Sequence, residues 1–313
     1  MSEEIFVGID VSGERLDVCM LPEGKAVAFD NSDEGARALC ESLSQRAVSL
    51  VALEATGGLE RVALAALRAA GIPAVAANPR RVRQYAQAAG IMAKTDKVDA
   101  RVLARFARDI RPESRPGPSP QEQVIRELAA RRRQLMRMRV AELNRRKRAG
   151  DARVVEDIEL SLAFLDERIK MLDDKIDEEI GNDPKWKEID ELLKSVPAVG
   201  EKTSRMLIAS LPEIGSLTHK EAASLAGLAP FAHDSGKLKG KRMIRGGRWS
   251  VRNALYMATL VGITHNEDIR KFYRRLKNNG KPGKVALTAC MRKLLITLNA
   301  VVARGTKWTP KNA

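Results

Sequence analysis

Aromatic residues make up only 4% of this 313-residue chain, and it holds three histidines and three cysteines. So few aromatics argue against a broad stacking platform for single-stranded nucleic acid. The cysteines, Cys19, Cys40 and Cys290, form no C-x-x-C pair. An odd, sparse set makes no disulfide framework and suits a reducing compartment. No Cys/His spacing suggests zinc, and His219 and His265 stand alone. The amino-terminal MSEEIFVGID lacks the basic start and apolar stretch of a signal peptide, and no apolar run reads as long enough to span a bilayer. The expectation is a cytoplasmic protein with no membrane partner.

What is abundant is positive charge. Lys and Arg outnumber Asp and Glu by 55 to 40, a formal net charge of +15. Such a balance points to a polyanionic partner, because each phosphate that is neutralised releases condensed counterions. The basic residues also cluster, which a merely basic soluble protein does not require.

Along the chain, residues 5–9 (IFVGI) read as a strand ending at Asp10, followed by strand-like stretches at 15–21 and 26–30. Residues 34–47 read as a helix and 49–53 (SLVAL) as a buried strand ending at Glu54. A helix over 59–70, a strand over 73–77 and helices near 79–88 and 95–109 follow. A three-strand meander, then strands alternating with helices, predicts an α/β unit with a mixed sheet. Residues 111–120 hold four prolines and a glycine, a composition that stops helices and marks a boundary.

Beyond it, residues 121–148 are helical and strongly basic, with Arg131, Arg132 and Arg133 at the centre. Residues 154–180 are helical and largely acidic, with Ile158, Leu162, Leu165, Ile169, Leu172, Ile176 and Ile180 at coiled-coil spacing. The basic helix has two equal readings: a nucleic-acid-binding ridge, or a face that is solvated or paired with the acidic helix in a hairpin. Residues 192–210 read as helix, tight turn, helix. The turn at Pro197–Gly200 resembles a helix-hairpin-helix, in which Gly200 and Lys202 could meet a phosphate; an ordinary corner between helices is the alternative. The expected organisation is an α/β domain over 1–112, a linker over 113–120, a coiled-coil segment over 121–183 and a helical domain over 184–313.

Two groups of residues carry chemistry. Asp10 and Glu54 each end an apolar strand, and Asp96 and Asp99 share one helix face at i,i+3 spacing behind Thr95. Four carboxylates brought together repel unless a hard cation neutralises them, and one or two Mg2+ ions suit such a set. Each acid alone is equally well a cap or a solvated side chain; their order along the chain is that of an RNase H-like nuclease or recombinase.

The second group lies in residues 229–257. There Gly236, Gly240, Gly246 and Gly247 supply tight backbone, and Lys237, Lys239, Lys241, Arg242, Arg245, Arg248 and Arg252 supply cations around Ser235. A flexible basic loop feeding a helix from about 250 fits a phosphate. Ser235 is either a turn residue or a nucleophile, and His233 either a base or a polar loop residue.

The stretches VGIDVSGERLDV, ALEATGG, NPRRVRQYAQAAGIMAKTDKVDARVLARFA, VPAVGEKTSRMLIAS and LAPFAHDSGKLKGKRMIRGGRWSVRNALYMA together resemble the DEDD transposases of the bacterial insertion-sequence 110 family. The resemblance spans nearly the whole chain and keeps the motif order. It implies a RuvC-like RNase H-fold domain, coiled-coil helices, and a mostly helical transposase domain. It also implies an Mg2+-binding tetrad of Asp10, Glu54, Asp96 and Asp99, with Ser235 linking covalently to a DNA phosphate. A structured non-coding bridge RNA that pairs with donor and target DNA, and assembly into dimers or tetramers through the 158–180 seam, follow from the same resemblance. So does a nucleoid-associated location. The competing readings are a RuvC-like nuclease using metal-activated water and a non-catalytic nucleic-acid-binding protein.

Overall fold

The computed structural model describes residues 4–91, 96–114, 117, 119–232, 234–235, 238–240 and 242–310; for residues 96–98, 238 and 239 it describes the backbone. The chain divides into two compact units, Met1–Gly117 and Pro118–Ala313.

The first unit is built on a five-stranded sheet of order β3-β2-β1-β4-β5, comprising β1 (Ile5–Val11), β2 (Arg15–Leu21), β3 (Lys25–Asp30), β4 (Val48–Glu54) and β5 (Ala74–Ala77). β1, β2 and β3 pair antiparallel, while β4 and β5 run parallel to β1, so the sheet is mixed as the sequence predicts. Both faces are covered, which explains why β1 is apolar almost throughout. On one face Val7, Ile9, Leu16, Val18, Met20, Val51 and Leu53 pack against α1 (Asp33–Ser44) and α2 (Arg61–Ala69) through Leu39, Leu43, Ala63 and Leu67. On the other, Phe6, Leu50 and Ala52 pack against α3 (Pro79–Ala88) and α4 (Asp96–Ile110) through Val82, Ala86, Leu103 and Phe106. Local signals set the helix starts: Ser32 caps α1 at the Gly35 N–H, and Asn78 caps α3, with Pro79 in its first turn.

The second unit opens with a helical hairpin, α5 (Pro120–Arg146) and α6 (Ala152–Asn182), capped by Ser119 and Asp151. Seam residues Leu165 and Ile169 pack against Leu135, and Ile176 and Ile180 join Ile125 and Ala129 in a larger core. The seam expected to serve subunit contact is therefore covered within the chain, because α5 folds back along it. Ion pairs stitch the hairpin: Arg132 to Asp173 at 2.6 Å, Arg139 to Asp166 at 2.5 Å and Arg146 to Glu159 at 2.6 Å.

The remaining helices are α7 (Pro184–Lys194), α8 (Glu201–Ser210), α9 (His219–Leu225), α10 (Trp249–His265), α11 (Glu267–Asn278) and α12 (Gly283–Arg304). Between α9 and α10 come four two-residue strands: β6 (Pro230–Phe231), β7 (Asp234–Ser235), β8 (Leu238–Lys239) and β9 (Met243–Ile244). α12 corrects one expectation: by length and composition it could cross a membrane. Its Ala286, Cys290, Met291, Leu294, Leu295 and Leu298 are instead buried in the core of this unit. Burying each large apolar side chain there contributes roughly 1.5–3 kcal/mol.

Candidate catalytic and nucleic-acid sites

The acids converge through strand register. β1 and β4 are parallel neighbours with Ile9 beside Leu53, so Asp10 and Glu54 lie one residue further at the same strand ends. Side chains alternate across a sheet. Ile9 and Leu53 belong to the α1/α2 face, which puts Asp10 and Glu54 on the face that α4 covers.

α4 runs antiparallel to β1. Phe106, near the helix end, packs with Phe6, and Arg111 just beyond it stacks on the Phe6 ring and bonds Glu4. The start of α4, carrying Asp99, therefore lies at the strand ends that carry Asp10 and Glu54. The helix sits directly on β1 at Gly8, where a Cβ would meet the Ala100 carbonyl oxygen at 2.1 Å and the Ala104 nitrogen at 2.2 Å. The positive end of the helix dipole favours acids in this first turn.

Glu54 is half-buried, and its carboxylate has no hydrogen-bond or ion-pair partner among the described residues. Asp17, which sequence reasoning passed over, stands directly across from Asp10 in the β1–β2 ladder and is paired with Arg15 at 2.9 Å. Its strand alternation could have flagged it. Among the described residues no three His, Cys, Asp or Glu side chains stand close enough to form a metal cage. The backbone of Asp96 opens α4, and its side chain lies outside the described residues. The donor set is nonetheless all carboxylate oxygen, the chemistry that hard Mg2+ takes.

Ser235 sits exposed in a β-ribbon. β6 pairs with β9, Pro230 to Ile244 and Phe231 to Met243, and within that loop β7 pairs with β8, Ser235 to Leu238. The sequence predicts a flexible loop here; the structure has two nested strand pairs, with Ser235 opposite Leu238 in the inner one. His233, Gly236, Lys237 and Lys241 lie outside the described residues, as does the side chain of Lys239.

The ribbon's base is anchored by two glycine turns in close approach. Gly247, at φ 67°, would place a Cβ 2.1 Å from the Gly227 nitrogen, so neither position admits a side chain without movement.

Two expected phosphate ligands, Arg248 and Arg252, serve this anchoring instead. Arg248 donates to both Glu213 carboxylate oxygens at 2.6 Å and to the Ser210 carbonyl at 3.0 Å. Burial pushes Glu213 up, but the bonds and charge of Arg248 outweigh it and hold its carboxyl below the usual range. Arg252 donates to the carbonyl of Gly246 at 2.6 Å. Arg245 stacks over Phe231 at 5.1 Å, and Arg242 pairs with Asp234 at 3.8 Å across an exposed gap.

In α5, Arg132 is spent on Asp173, with both side chains only 15% exposed. Burial, and secondarily Arg137, lowers the Arg133 guanidinium below its ordinary value. Arg131 is held by Gln134 at 3.0 Å. The hairpin thus neutralises Arg132, Arg139 and Arg146, while Arg131, Arg133 and Arg137 have no carboxylate in ion-pair range among the described residues.

At the α7–α8 turn, Ala198 adopts φ 84° and Gly200 caps α8 without a side-chain bond, with Lys202 exposed in the first turn. The first N–H groups of α8 thus have no side-chain cap, a feature common to the phosphate-facing turn and to an ordinary corner between helices.

Comparison with known proteins fits this arrangement. Residues 7–149 match a DEDD-type family model described as a transposase, and residues 190–274 match one described as the transposase IS116/IS110/IS902 family. Over 309 residues, covering 95% of each chain, the protein is 29% identical to pilin gene-inverting proteins of Moraxella bovis and Moraxella lacunata. An α/β unit bearing strand-end acids, joined to a helical unit with these matches, defines an enzyme of DNA recombination. The chain belongs to the insertion-sequence 110 transposase family.

Proposed function

We propose that this transposase cuts and rejoins duplex DNA by Mg2+-assisted attack of Ser235 on a phosphodiester. The observation that carries the reading is the register of β1 against β4, which sets Asp10 and Glu54 side by side under the start of α4. The strand order β3-β2-β1-β4-β5, antiparallel then parallel, supports an RNase H-like, RuvC-like unit.

Asp10, Glu54, Asp96 and Asp99 would hold one or two Mg2+ ions, which supply electrostatic stabilisation to the phosphate oxygens in flight. The Ser235 oxygen bonds to phosphorus while one ester bond of the DNA breaks. The departing sugar oxygen takes up a proton and the serine hydroxyl gives one up. Attack by a sugar hydroxyl of a second strand on the phosphoserine reverses these steps and frees Ser235. Lys237, Lys239, Lys241, Arg242 and Arg245 would hold the phosphate at the ribbon, with Gly200 and Lys202 gripping backbone elsewhere.

Both relatives are named for inverting a pilin gene. Strand exchange between two sites on one DNA would give that outcome, and the same class of exchange is proposed here. A structured non-coding RNA pairing with donor and target would provide sequence choice, leaving the +15 chain to grip backbones. Assembly as a dimer or tetramer completes the reading, with residues 1–112 as the nuclease-like domain and 184–313 as the serine-bearing domain.

The test is covalent trapping on labelled element-end DNA. Wild type should give a denaturant-resistant adduct hydrolysing to phosphoserine, and Ser235→Ala should give neither adduct nor cleavage. If Ser235→Ala cuts as well as wild type, a metal-activated water does the chemistry. If Asp10→Asn and Asp99→Asn leave DNA processing unchanged, the chain does not use these acids.

A further inference from the structure

Residues 270–284 (RKFYRRLKNNGKPGK) contain seven Lys or Arg and no Asp or Glu. α11 carries most of them. Its Ile269 is buried, and Phe272 and Tyr273 pack against the core of the second unit. Arg270, Arg274 and Lys277 recur at steps of four and three, which places them together on one flank of α11, beside the face that carries Ile269, Phe272 and Tyr273. Gly280, at φ 72°, ends the helix; its N–H bonds the Lys277 carbonyl, and the Lys281 N–H bonds that of Leu276. This turn carries Lys281 and Lys284 onward to the start of α12.

What sets this segment apart is the density of cations without a single acid among them, not the lack of ion pairs alone; several arginines elsewhere in the unit are neutralised. Arg132, Arg139, Arg146, Arg205 and Arg248 all have carboxylate partners. In α11, Lys271 pairs with Glu267 at 2.8 Å, and Arg270 donates to the Thr264 carbonyl at 3.1 Å. Among the described residues, Arg274, Lys277, Lys281 and Lys284 have no carboxylate in ion-pair range, and all four are exposed. A local excess of solvated positive charge is a footprint for a regular polyanion.

We propose that this face of α11, continued through Lys281 to Lys284, binds the phosphate backbone of duplex DNA through residues other than those of the serine ribbon. From Arg270 to Lys277 the helix rises roughly 10 Å, about the axial rise of three base pairs, and Lys281 and Lys284 extend the charge beyond its end. The aromatics of α11 are packed inward, so the surface offers no stacking platform, which favours a duplex over a single strand. DNA is the partner because the family's reaction is on DNA, whatever the role of Ser235.

The experiment uses the full chain and a fluorescent 30-base-pair DNA of arbitrary sequence, with anisotropy read from 50 to 300 mM salt. The Arg274→Glu/Lys277→Glu/Lys281→Glu variant should bind about ten-fold or more weakly. Its log–log salt slope should be shallower by about 2–3, at about 0.9 for each phosphate no longer neutralised. Lys170→Glu/Lys175→Glu/Lys187→Glu makes the same charge change elsewhere on the unit and should keep the wild-type slope. Circular dichroism and melting would confirm that both triple variants fold. An unchanged slope in the α11 variant overturns the proposal, as does an equal loss in the control variant. A loss confined to a hairpin RNA probe, with DNA binding intact, overturns it too.

Discussion

Gly8 in β1 and the Ala100 carbonyl of α4 are in backbone contact, so close that a single added methyl would lie 2.1 Å from that oxygen. This contact sets how the helix bearing Asp99 lies over the strand bearing Asp10. Gly8→Ala must push the helix away, which should cost about 3 kcal/mol. Denaturant unfolding measures this. A variant as stable as wild type would show that the helix yields without cost. The same displacement should reduce DNA cleavage more than DNA binding, since it separates the acids.

The strand-end carboxylates make a second prediction. Asp10→Asn and Glu54→Gln should each lower cleavage by at least about 100-fold at saturating DNA, the scale on which preorganised charge stabilisation acts. Binding to duplex DNA should change little. Chelation of divalent ions should abolish cleavage and Mg2+ restore it. Persistent cleavage in excess chelator would remove the metal from the mechanism.

Arg132 and Asp173 tie the two helices of the hairpin together, and Arg205 also approaches Asp173 at 3.4 Å. Asp173→Ala leaves the largely covered Arg132 guanidinium without its carboxylate, while Arg205 keeps Asp177, and should destabilise the second unit by about 2–3 kcal/mol. Arg132→Met combined with Asp173→Leu should cost less than the sum of the single changes. A double-mutant cycle showing additivity would mean the pair is not coupled.

Glu213 and Arg248 predict a pH dependence. A carboxyl held below its ordinary value of 4.5 contributes stability that is complete above that value and lost as pH falls through its lower folded value. The stability gap between wild type and Glu213→Gln should therefore be constant from pH 7 to about 5 and shrink below about 4.5. A gap that widens on acidification would reverse the assignment.

Tyr85 donates to Asp109, and burial followed by this bond pushes its phenol up to about 12. Absorbance titration at alkaline pH should show one phenol ionising near that value, missing from Tyr85→Phe. Because the folded value is raised, the contribution to stability is complete below the ordinary phenol range near 10 and lost as pH rises towards 12. A wild-type titration lacking this late phenol would refute the hydrogen bond.

Much of the fold was legible from local pattern. β2 and α3 have the bounds expected for them, 15–21 and 79–88, and the four prolines at 111–120 fall where the two units meet in sequence. Glu54 was legible for the same reason, as the carboxylate that ends the apolar run of β4; the expected end at Asp10 was one residue early, because β1 runs on to Val11, which is buried in the core. Less legible was the use of each charged side chain. Arg132, Arg248 and Arg252 look like phosphate ligands by composition, yet they bond to Asp173, Glu213 and the Gly246 carbonyl. Those partners are remote in sequence or in a turn whose path composition does not reveal.

By itself, then, the sequence determined the periods, the caps, the breaks, the net charge and the order of the acids, because each depends on neighbours within a few residues. Tertiary structure alone decided that Asp10 stands beside Glu54, that α4 rests on Gly8, and that the seam of α6 is covered by α5. It also decided which cations are neutralised and which, along α11, face outward. Register and long-range pairing depend on where the chain returns in space, and only the packed backbone specifies that return.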